Sequence, residues 1–111
     1  MDAAPLLDRV LDDEGLTSGL DEPEATLLVQ ALSARVRKLM ADAKDEATAR
    51  KQVDDICHLA RRISEVVATF RDAGEATART TATRYALVWP AGVKSPAELL
   101  SRLMTEQCRS N

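Results

Sequence analysis

The sequence predicts an all-α protein: an antiparallel helical hairpin of two long helices, with short flanking helices toward the N- and C-terminal ends. Two apolar stripes lead there. Ala25, Val29, Leu32, Val36, Leu39 and Ala43 form the first, and Ala49, Val53, Ile56, Ala60, Ile63, Val67 and Phe70 the second. Their spacings alternate between three and four residues, the pattern of helices packed along a seam. No stretch shows the β-branched alternation of a strand, and the four Gly and four Pro fall mostly at the ends of periodic segments.

At 111 residues the chain fits one domain, read as 1–20 (acidic helix and turn), 21–73 (hairpin) and 74–111 (C-terminal helices). Aromatics make up only 3% of residues, so the core must be built of Leu, Val, Ile and Ala.

The first expected helix covers residues 4–14, where Leu6, Leu7, Val10 and Leu11 share a face, and Gly15 ends it. A turn follows over 15–20. Asp21 and Glu24 then make an acidic capping box with Pro23 in the first helical turn, which starts the first long helix. Nothing from Met40 to Lys51 is Gly or Pro, so propensity alone would allow one helix on the order of 75 Å long. The stripes argue otherwise. They do not share a register, and extending the second backward would put Glu46, Asp42 and Arg35 on the seam, where a lone charge is costly to bury. A break near Ala43 to Asp45, with Asp45 as N-cap, avoids that cost.

Folding back at this point brings Val36 toward Val53, Leu32 toward Ile56 and Val29 toward Ala60. The second arm then overhangs by about two turns, exposing Val67 and Phe70 to cover by Leu7, Val10 and Leu11. Gly74 closes the long helix. Residues 75–88, rich in Ala, Thr and Arg, read as a weakly patterned helix, and Trp89, Pro90, Gly92 and Lys94 as a connection. Ser95, Pro96 and Glu98 cap a last helix over 96–107 that presents Leu99, Leu100, Leu103 and Met104.

The net charge of −3 is unevenly distributed: residues 1–24 carry −7 and the remainder +4. Such an acidic arm is either solvated or meets a basic surface. No run approaches the roughly 18 apolar residues of a membrane span, and the acidic N-terminus does not resemble a signal peptide. With only Cys57 and Cys108 available, a disulfide framework is excluded as well, and the expected compartment is the cytoplasm.

Motifs for chemistry are sparse. Asp54 and His58 stand at i and i+4 beside Asp55, a spacing that can supply two metal ligands, but His58 is the only His, and Arg61 and Arg62 lie one turn on. Cys57 beside His58 makes no dyad, because adjacent helical residues diverge by about 100°. Glycine-rich phosphate cradles are absent. The expectation is therefore a non-enzymatic, cofactor-free and metal-free interaction or regulatory module. Leu28, Met40 and Val66 lie off the seam and, with Trp89, are the candidate interface, most simply of a homodimer. The alternative is a regulatory nucleic-acid-associated protein that uses the Arg71 to Lys94 region. Arg79, Arg84 and Lys94 would supply its charge, with Tyr85 and Trp89 for stacking. A pI near 5.1 disfavours that alternative.

Overall fold

The computed structural model describes Asp8 and residues 14–108. Among the described residues from 14 onward run a short 3-10 turn, Glu14–Leu16, and four helices: α1 Glu22–Asp42, α2 Glu46–Ala73, α3 Glu75–Arg84 and α4 Pro96–Cys108. The described residues include no strand. The expected helix over 4–14, with its cover by Leu7, Val10 and Leu11, falls almost wholly outside the described residues.

α1 and α2 form the antiparallel hairpin. Asp21 accepts a hydrogen bond from the Glu24 backbone N–H (3.0 Å) while the Glu24 carboxylate accepts one from the Asp21 N–H (3.2 Å), so the capping box forms as the sequence reads. The helix ends at Asp42. Asp45 then caps α2 by accepting from both the backbone N–H (2.7 Å) and the hydroxyl (3.0 Å) of Thr48. These bonds to the ionised form hold the Asp45 carboxyl below its ordinary pKa. With 28 residues at about 1.5 Å each, α2 accounts for the 42 Å long dimension of the molecule.

The second stripe is buried from Ala49 through Val67, with Phe70 half-buried. The first stripe is displaced. The buried apolar residues of α1 are Leu28, Leu32, Val36, Leu39 and Met40, whereas Ala25 and Val29 are half-buried. α1 packs against both α2 and α4, and α2 against α1, α3 and α4. Each long helix must therefore bury a face wider than one seam. Together with Glu24, the buried set of α1 spans an arc of about 160° at 100° per residue.

α3 ends at Arg84, short of the expected residue 88. The Leu87 N–H bonds the Ala82 carbonyl (2.8 Å) and the Ala86 N–H bonds that of Thr83 (3.0 Å), closing the helix in a Schellman arrangement. Ala86 occupies the left-handed position, at φ 58°, where glycine is usual. A glycine does end α2: Gly74, at φ 93°, separates it from α3.

At the open end of the hairpin the segment before α1 is tied down by polar contacts, one of them buried. The Ser64 hydroxyl donates to the Leu16 carbonyl at 2.6 Å. Arg71 donates to the Glu24 carboxylate (2.8 Å), the Gly19 carbonyl (2.5 Å) and Asp72 (3.0 and 3.3 Å). The turn approaches α2 so closely at Gly19 that an added Cβ would lie 3.1 Å from that of Ala68. No helix among the described residues is long and apolar enough to cross a membrane.

Candidate interaction surface

Three of the four expected interface residues are committed to the fold. Leu28 and Val66 have no solvent exposure and Met40 has 6%. They lie off the hairpin seam, as their spacing indicates, but the bundle has a second internal face that takes them up. The uncovered strip that suggested a homodimer is thus not formed by these residues. Trp89 is half-buried and packs edge-on against Phe70, with ring centroids 5.7 Å apart, while the Arg79 guanidinium lies 5.0 Å from its centroid. Part of the cover expected over the α2 overhang therefore comes from Trp89.

The same contacts occupy the groups expected to meet nucleic acid. Arg79 is held over Trp89 and pairs with Glu75 (3.2 Å). The Tyr85 hydroxyl donates to Glu65, which raises the phenol pKa, and Arg62 covers the ring at 5.5 Å. Each of the two rings already has one cation over it. Arg84 and Lys94 are exposed, and the Lys94 backbone N–H donates to Glu98 (3.3 Å), which helps start α4 beside the Ser95 cap.

Asp54 is half-buried and His58 exposed on α2. Among the described residues no three His, Cys, Asp or Glu side chains converge where they could hold a metal ion. Cys57 is buried and carries no disulfide, so it contributes to packing.

A different surface emerges between α1 and α4. Leu27, Ala31, Ala34 and Lys38 follow spacings of four, three and four residues along α1, and with Gln30, Arg35, Leu100, Ser101, Met104 and Thr105 they line an open concavity of about 570 Å³. Leu100 and Met104 are buried and belong to the core. Leu27 is 40% exposed, one of two large apolar side chains so exposed among the described residues; the other, Val88, lies in the loop after α3. Ala31 and Ala34 keep the α1 wall low.

Arg35 lines this groove and also a smaller concavity bounded by Lys38, Asp42, Lys44, Asp45 and Thr48. It is half-buried. Its Nε and one terminal nitrogen, Nη2, are shielded from solvent and find no hydrogen-bond acceptor among the described residues. Buried guanidinium donors are ordinarily satisfied. One sign of this position is legible in the sequence, since Arg35 is a charge that a continuous seam would have buried. The Leu27 stripe carries little sequence signal, because two of its four members are Ala and one is Lys.

No protein-family model, curated protein or solved structure matches the chain.

Proposed function

We propose that the chain is a non-enzymatic interaction module that binds a helix in the groove between α1 and α4. The observation that carries this reading is the Leu27, Ala31, Ala34, Lys38 stripe, which has coiled-coil spacing and lies beside Leu100 and Met104 with Leu27 exposed. Such spacing suits a third helix laid along the groove, and the small residues allow close approach of its backbone. From Leu27 to Lys38 the stripe rises about 16 Å, enough for three turns of a bound helix. A reduced, buried Cys57 is compatible with the cytoplasm as its place of action.

Site-specific photocrosslinking of the full chain in its own cells tests the reading. A photoreactive residue at Ala34 or Ser101 is expected to give a discrete protein adduct that the same residue at Thr80, an exposed position of α3, does not. An adduct at twice the 12.1 kDa chain mass would identify the partner as a second copy. Identical adducts from groove and α3 positions, or none from the groove, would overturn the proposal.

A further inference from the structure

We infer that the helix bound in the α1–α4 groove is acidic, and that one of its carboxylates is received by Arg35. This inference rests on the groove being the binding surface. Nε–H and the adjacent Nη2 donor lie on one edge of a guanidinium, and that edge matches the two oxygens of a carboxylate in a bidentate pair. In the described structure these are the two Arg35 nitrogens that are shielded from water and lack an acceptor. The side chain has a charge to satisfy, and among the described residues no hydrogen bond anchors its Nε or Nη2. Rotation about its terminal torsions therefore breaks no bond from these two nitrogens to the described residues.

The surroundings favour an anion over a neutral acceptor. Lys38 stands one turn on and lines the same groove, and none of the groove-lining side chains is acidic. An incoming carboxylate would meet two cations at one end of a short apolar trough. Leu27 and Ala31, toward the start of α1, line the part of the groove away from Lys38, which calls for a large apolar side chain. The occupant is thus an amphipathic helix of about three turns, with apolar residues at helical spacing and a Glu or Asp one to two turns from the largest of them. Nucleic acid would satisfy the cations but not the apolar trough.

A displayed library of amphipathic helical peptides, randomised at both apolar and polar positions and selected on the full chain, tests this. Groove binding is defined by loss on the uncharged double substitution Ala31→Gln with Ala34→Gln, whose fold is checked by circular dichroism. Selected groove binders should be enriched in Glu or Asp at one position. For such a peptide, Arg35→Met in the protein and Glu→Gln (or Asp→Asn) in the peptide should each weaken binding about tenfold, and the two changes together should cost little more than either alone. Groove binders with no acidic preference, or with losses that simply add, would overturn the carboxylate assignment while leaving the groove as the binding surface. If the double-Gln variant retained every selected binder, both readings would fall.

Discussion

Arg71 and Arg35 sit on the two arms of one hairpin and have opposite fates. Arg71, near the open end, donates to the Glu24 carboxylate, the Gly19 carbonyl and Asp72, and its side chain is 30% exposed. Arg35, two turns from the connecting turn, is half-buried with two shielded donors and no acceptor among the described residues. The difference is whether the chain itself supplies the carboxylate. Glu24, at 4% exposure, could not be buried without Arg71. Asp42 and Asp45 line a concavity with Arg35, but among the described residues neither accepts from its shielded donors, so that guanidinium costs the free protein stability and is available to another molecule.

Matched substitutions break the comparison most directly. Arg71→Met keeps the apolar stem but leaves the Glu24 carboxylate without its cation and the Gly19 carbonyl without its donor, so the melting temperature should fall by several degrees. Arg35→Met removes only an unpaired charge and should stabilise the isolated chain by about 1 kcal/mol, while weakening the groove's grip on an acidic helix. Stability gained together with binding lost is the pattern of a functional residue. Equal destabilisation by both substitutions, read from thermal melts, would mean that Arg35 is as much a part of the fold as Arg71.

Ala86→Gly supplies a scale for that gain. Ala86 holds a left-handed conformation that is costly for an L-residue, and glycine removes the strain at the expense of a more flexible unfolded chain. The expected net gain is about 0.5 kcal/mol, with no effect on groove binding. A gain at Ala86 accompanied by weaker peptide binding would show that the two properties are coupled through the whole bundle rather than through Arg35.

How much of this could be read in the sequence follows the same division between local and assembled features. The hairpin turn was legible because residues 42–52 lack any apolar side chain larger than Ala and Asp45 is a strong cap. The capping boxes at Asp21 and Ser95 are local as well. Leu28, Met40 and Val66 were misassigned because which apolar residues become internal depends on how many helices pack around each arm, and a heptad pattern reports only one neighbour. The end of α3 was hidden because an alanine in a left-handed cap carries no compositional signal. The groove required α4 to be positioned before Leu27 and Ala31 could be seen as a wall.

The smallest effect expected at neutral pH comes from Asp45, which tests whether the closed end conceals a partner for Arg35. Asp45 and Arg35 line the same small concavity, but the Asp45 oxygens are taken by Thr48. Because those bonds depress the folded-state pKa, the carboxylate contributes stability above its unfolded value of about 3.9, and this is lost as pH falls through the lower folded value. Asp45→Asn keeps a good cap and removes the titration. It should therefore melt close to wild type at pH 7 and lose less stability than wild type below about pH 4. Combined with Arg35→Met, its effect at pH 7 should simply add, since the two groups share no bond. A double variant that departed from additivity by more than about 0.5 kcal/mol would show that Asp45 neutralises Arg35 in solution, and the contrast between the two arginines would disappear.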